Sequence, residues 1–106
     1  MKNENPDVVF VQLDDVDHAG HAHDYLFESK KYVKAIKKAD KQVEEMVNAL
    51  KQRASYKEED WLIIVSTDHG GSNFGHGKDI PEHTTIFLIV SGENTIKGKL
   101  SEANVT

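Results

Sequence analysis

The sequence contains no cysteine. That excludes a disulfide framework, a thiolate metal site and a cysteine nucleophile, and it leaves the redox compartment and localisation open. Long apolar runs are missing too. The longest are five residues, Trp61–Val65 and Ile86–Val90, against the ~20 that a membrane-spanning helix needs. Met1-Lys2-Asn3-Glu4-Asn5-Pro6 carries no hydrophobic segment, so no signal peptide is visible. Basic charge is in deficit: 13 Lys and Arg stand against 18 Asp and Glu, for a net charge of −5. A surface for nucleic acid is not expected, since neutralising phosphates takes clustered Lys and Arg. There is no internal repeat and no low-complexity tract.

What is there fits a folded chain. At 106 residues it makes one domain at most, and such a chain buries about two-thirds of its unfolded surface. Apolar content of 38% with 29% charged residues is ordinary for a globular domain rather than a disordered one. After a polar lead-in that ends in Asn5-Pro6-Asp7, Val8–Leu13 is apolar on both faces, which suits a strand buried in a parallel sheet. From Ser29 to Arg53 the apolar positions become Tyr32, Ile36, Ala39, Val43, Met46 and Leu50, one stripe of an amphipathic helix with Ser29 as N-cap. Trp61–Ser66 reads as a second buried strand. The helix between them predicts a βαβ unit with a right-handed crossover. Gly70–Pro81 reads as a loop, Ile86–Val90 as a further strand, and Glu93–Thr106 as a polar tail with one apolar pair, Ile96 and Leu100. The fold class is α/β.

Two stretches carry the chemistry. Asp14-Asp15-Val16-Asp17-His18-Ala19-Gly20-His21-Ala22-His23-Asp24 packs four carboxylates and three imidazoles into eleven residues directly after the first apolar run. Like charges this close repel, so a folded chain keeps them for a cation or a reaction. Thr67-Asp68-His69-Gly70-Gly71 follows the second apolar run in the same way. In open α/β sheets ligands bind beyond the carboxyl ends of the strands, where both stretches are expected as loops. All six histidines (18, 21, 23, 69, 76 and 83) fall in two segments and none on the long helix. Asp17 with His21, and Asp68 with His69, each offer one hard oxygen and one imidazole nitrogen. Such mixed donors suit Zn²⁺ or Mn²⁺ better than Mg²⁺ or Ca²⁺. Two divalent ions would also offset the carboxylates and let an anionic substrate approach.

These residues resemble a known family. Asp17-His18-Ala19-Gly20-His21 is similar to the Asp-x-x-Gly-His motif of the alkaline phosphatase superfamily, and Asp68-His69-Gly70 to its Asp-His-Gly. Gly75-His76-Gly77, before a strand, resembles its late metal-binding histidine. The likeness is closest to the type I phosphodiesterase and nucleotide pyrophosphatase branch, and it spans residues 8–92. It implies a partial alkaline-phosphatase-like parallel sheet and a metal-dependent hydrolase of phosphate esters. Asp17, His21 and His76 would hold one divalent metal; Asp68 and His69 would hold part of a second. Zn²⁺ is the expected ion and Mn²⁺ the alternative. In the family the second metal also takes an aspartate from a strand end, and a Thr or Ser is the nucleophile. Nothing in this sequence matches either. The resemblance therefore implies that residues 1–106 are a single partial domain, the C-terminal metal-binding part of a larger hydrolase and inactive in isolation.

Other readings stay open. His83, in His83-Thr84-Thr85, rivals His76 as third ligand, in the manner of the metal-dependent phosphoglycerate mutases. Lys78 keeps a sulfatase reading alive. Asp14 and Asp15 can serve as ligands, as supports or as turn residues. Asp24 stands near a position that is commonly glycine in relatives, while His18 and His23 are expected to be exposed. Outside catalysis, the chain can be a metal-binding or interaction module. A sheet of about three strands would expose edges, which predicts a homodimer through them.

Overall fold

A computed structural model describes residues 4–99. Its elements are helix α1 (Asp15–His23), helix α2 (Lys30–Lys51), a 3₁₀ turn (Tyr56–Glu58), strand β1 (Ile63–Ser66), the one-turn helix α3 (Pro81–Thr84) and strand β2 (Leu88–Ser91). The α/β class holds.

The acidic, histidine-rich stretch is a helix rather than the expected loop. The local reason is charge order. Asp15 and Asp17 lie in the first turn of α1 and His21 and His23 in the last, which suits the partial charges of a helix's two ends. Asp24 ends it at φ 79°, in the region that favours glycine. α2 keeps the expected span, with Ser29 at the N-cap position. The Ser29 hydroxyl does not cap α2, however; it donates to the His23 carbonyl at 2.6 Å and so joins the two helices. α1 packs against α2, and Lys38 Nζ reaches Asp15 Oδ2 at 2.6 Å across that seam. Leu50 is the one buried member of the expected stripe; Ile36 is exposed and the rest are half-buried.

The sheet differs most from expectation. β1 and β2 pair antiparallel, with Ile63 opposite Ser91, Ile64 opposite Val90, Val65 opposite Ile89 and Ser66 opposite Leu88. No parallel pair and no βαβ crossover form among the described residues. Val8–Leu13 takes no regular structure, and Val8 and Phe10 are 82% and 86% exposed. A parallel ladder needs cover on both faces. The described residues supply one long helix, and that helix is engaged by α1. β1 consequently alternates between half-buried and exposed positions, and β2 is exposed throughout.

What substitutes for a large core is a polar knot. Arg53, buried at the end of α2, donates from Nε and Nη2 to both oxygens of Glu59 at 3.0 and 2.8 Å. It also donates from Nη1 to the Glu4 carbonyl at 2.7 Å. Glu59 further accepts from Ser55 and from the Trp61 indole. Hydrogen bonds from Arg53, Ser55 and Trp61 hold its carboxyl down at about 2. Among the described residues the buried hydrophobic side chains are Tyr25 and Leu50. Ile96 is exposed; its expected companion Leu100 lies outside the described residues.

Candidate metal centre

Asp17 and His21 are four apart on α1, so they project from one helix face. Oδ1 of Asp17 stands 3.5 Å from His21 Nε2, 3.5 Å from His69 Nε2 and 3.5 Å from His76 Nε2. One carboxylate oxygen therefore faces three imidazoles drawn from α1, from the turn after β1 and from the following loop. The His21 and His76 Nε2 atoms are 3.1 Å apart, and the His69 and His76 rings stack with centroids 3.6 Å apart.

Backbone carbonyls choose the tautomers. His21 Nδ1 lies 2.9 Å from the Phe74 carbonyl, and His69 Nδ1 lies 2.5 Å from that of Gly70. A carbonyl only accepts, so each Nδ1 carries a proton, and each ring turns its Nε2 toward Asp17. That is the arrangement by which metal-binding imidazoles are usually held. The distances fit as well. A tetrahedral ion with ligands at ~2.0–2.1 Å sets its donors about 3.4 Å apart, and the Asp17, His21 and His76 donors are separated by 3.5, 3.5 and 3.1 Å. Asp17, His69 and His76 also bring one donor atom each within 4.8 Å of one another. Burial pushes the Asp17 carboxyl up, but the Tyr25 hydrogen bond and the three imidazoles outweigh it, and the group lies below the usual carboxylate range.

Tyr25 was not legible in the sequence as part of this site. Its ring is 9% exposed and its hydroxyl donates to Asp17 Oδ1. A Cβ added at Gly20 would lie 2.3 Å from the Tyr25 ring, and one at Gly71 would lie 2.5 Å from it. Neither glycine has a positive φ, so both are glycine for room rather than for backbone freedom. The sequence shows both glycines but not their φ, so nothing in it separates room for a ring from a turn.

The sequence matches the profile described as type I phosphodiesterase / nucleotide pyrophosphatase over residues 1–96. The chain belongs to that family. Among curated proteins it is similar to GPI ethanolamine phosphate transferase 1 of Chaetomium globosum, 32% identical over 99 residues that make up 92% of this chain and 10% of that protein. It is similar also to GPI ethanolamine phosphate transferase 1 of Aspergillus oryzae, 35% identical over 86 residues, 80% of this chain and 8% of that protein. The chain thus spans about a tenth of the length of these relatives. No solved structure matches it.

In this member of the type I phosphodiesterase family, the structure brings His21, His69 and His76 to one oxygen of Asp17. Asp68 stands at the rim, its side chain 90% exposed and its Oδ1 3.7 Å from His69 Nε2. Asp15 turns to Lys38 and Asp14 accepts from Gln12 Nε2 at 2.8 Å, so both face away from the imidazoles. His83 is buried elsewhere, with both ring nitrogens hydrogen-bonded.

Proposed function

We propose that this chain is the metal-binding part of a larger enzyme that cleaves phosphate esters, with Asp17, His21 and His76 as ligands of one divalent ion and Asp68 and His69 contributing to a second. The observation that carries this reading is a single carboxylate oxygen 3.5 Å from three imidazole nitrogens in a member of the type I phosphodiesterase family. Zn²⁺ suits the donors best and Mn²⁺ next. A bound ion would supply Lewis acidity toward a phosphoryl oxygen and positive charge where the carboxylates would otherwise repel an anionic ester.

The chain's own residues do the rest. Tyr25 orients the Asp17 carboxylate, and the Phe74 and Gly70 carbonyls hold the His21 and His69 rings with Nε2 turned inward. The Ser and Thr hydroxyls around the β1 turn are hydrogen-bonded to other partners: Ser66 donates to the Phe87 carbonyl, Thr67 to the His69 carbonyl, and Ser72 pairs with His83. That supports a nucleophile supplied from outside residues 1–106, so the isolated chain turns over little. The curated relatives are named as transferases, which supports transfer of the phosphoryl group from the departing alcohol to a second alcohol as the alternative to hydrolysis by water. Exposed apolar residues on β1 and β2 support self-association through the sheet.

Metal analysis of the purified chain beside Asp17→Ala and His21→Ala tests the reading. Equal zinc or manganese in all three would sink it. Assays of the full-length protein on phosphate mono- and diesters, with water and with an alcohol acceptor, then separate hydrolysis from transfer.

A further inference from the structure

His76 stands on the loop Ser72–Lys78, and what holds that loop in place is not on the loop itself. Its tip is tied to α1 and to Tyr25 just beyond it: Phe74 accepts from His21, and Asn73 accepts the Tyr25 backbone N–H at 2.8 Å. Ser72 and Gly75 exchange backbone hydrogen bonds at 3.1 Å and close a tight hairpin. The two ends meet at His83. Its Nε2 lies 2.7 Å from Ser72 Oγ, and its Nδ1 accepts the Lys78 backbone N–H at 3.0 Å. Its own carbonyl accepts the Gly70 N–H at 2.8 Å, which secures the turn bearing His69.

The protonation state follows from these partners. Nδ1 receives a hydrogen bond and so carries no proton; neutral His83 therefore has its proton on Nε2 and donates it to Ser72. The ring is 4% exposed and has no lone pair left for a metal and no basic nitrogen for Ser72. Its pedestal is stiff. Pro81 opens α3, and the His83 and Thr84 amides both return to the Ile80 carbonyl at 3.0 Å.

We propose that His83 is a positioning residue: it clasps both ends of the Ser72–Lys78 loop and thereby sets His76 against Asp17 and His69. This rests on the metal reading for its consequence but not for its geometry. It also answers the rivalry between His76 and His83, giving His76 the donor role and His83 the supporting one.

Wild type, His83→Ala and His83→Gln are compared in the full chain by two readouts. The first is the His69–His76 ring contact, followed by imidazole NMR without added metal. The second is the Zn²⁺ dissociation constant, measured by competition with a chelator. In His83→Ala the ring contact is lost and Kd rises about 10–100-fold at unchanged stoichiometry. His83→Gln, whose amide both accepts and donates, recovers most of each. In wild type the His83 nitrogens keep the Nε2–H tautomer when Zn²⁺ is added, while those of His76 shift. Unchanged ring contact and Kd in His83→Ala, or a Zn²⁺-induced shift at His83 Nε2, overturns the proposal. If Zn²⁺ does not bind wild type at all, the metal reading falls, and the ring contact alone still decides the clasp.

Discussion

The Tyr25 hydroxyl donates to the Asp17 oxygen that faces three imidazoles. The tyrosine ring is wedged where neither Gly20 nor Gly71 leaves room for a side chain. One residue thus couples the packing of α1 against the turn after β1 to the aim of the candidate ligand. Burial first, and the hydrogen bond to Asp17 next, raise the phenol above its ordinary range, so it stays a donor at any physiological pH.

Tyr25→Phe keeps the ring and removes the donor. Loss of a hydrogen bond to a charged group is expected to lower stability by about 1.5–3 kcal/mol, measured by denaturant unfolding. The Asp17 carboxyl should rise toward the usual carboxylate range, which carboxyl NMR titration reads. An unmoved Asp17 titration would show that the contact does not matter.

Gly20→Ala sets two effects against each other. Alanine in place of glycine inside a helix gains about 1 kcal/mol. The new Cβ would lie 2.3 Å from the Tyr25 ring, and overpacking of that kind costs roughly 1–3 kcal/mol. The ring is held by its hydroxyl and by the Asn73 carbonyl on its backbone N–H, so the clash wins. A lowered unfolding midpoint is expected, whereas a raised one would mean the ring moves aside freely.

The Arg53–Glu59 knot makes acid stability predictable in sign. The folded Glu59 carboxyl titrates at about 2, against 4.5 for the unperturbed group, held down by hydrogen bonds from Arg53, Ser55 and Trp61. The native state therefore binds fewer protons than the unfolded one between those values. The stabilisation is fully present above pH 4.5 and fades as pH falls toward about 2. Melting temperature should decline across that window in wild type, and Glu59→Gln should flatten the decline.

Metal and charge variants separate roles within the acidic cluster. Asp17→Ala should abolish metal uptake, while Asp15→Ala, whose carboxylate is turned to Lys38, should leave metal content unchanged. With free Zn²⁺ at about a hundred times Kd, binding adds about 2.7 kcal/mol to stability, so a chelator should lower the wild-type melting temperature and not that of Asp17→Ala.

Much was legible in residue order. α2 was written in its 3.6-residue spacing, and the pairs Asp17 with His21 and Asp68 with His69 stood out by residue type and spacing, while His76 was indicated by the family resemblance. The antiparallel pairing of β1 with β2, and the lack of a strand over Val8–Leu13, were not legible. Val8–Leu13 has strand composition, but strand formation needs a partner edge and cover on both faces, and no local pattern supplies either. The helix over Asp15–His23 carries no clear apolar stripe, and only its charge order, acids in the first turn and histidines in the last, favours it.

By itself the sequence determined which donors exist and that no thiolate takes part. Tertiary structure decided which of them meet. Asp17, His69 and His76 are 52 and 59 positions apart along the chain, and it is loop closure around Tyr25 and His83 that brings them onto one oxygen. It also gives two chemically identical histidines different surroundings. His76 and His83 differ in what surrounds them, a carboxylate oxygen in one case and a hydroxyl and a backbone amide in the other, and only folding sets those surroundings.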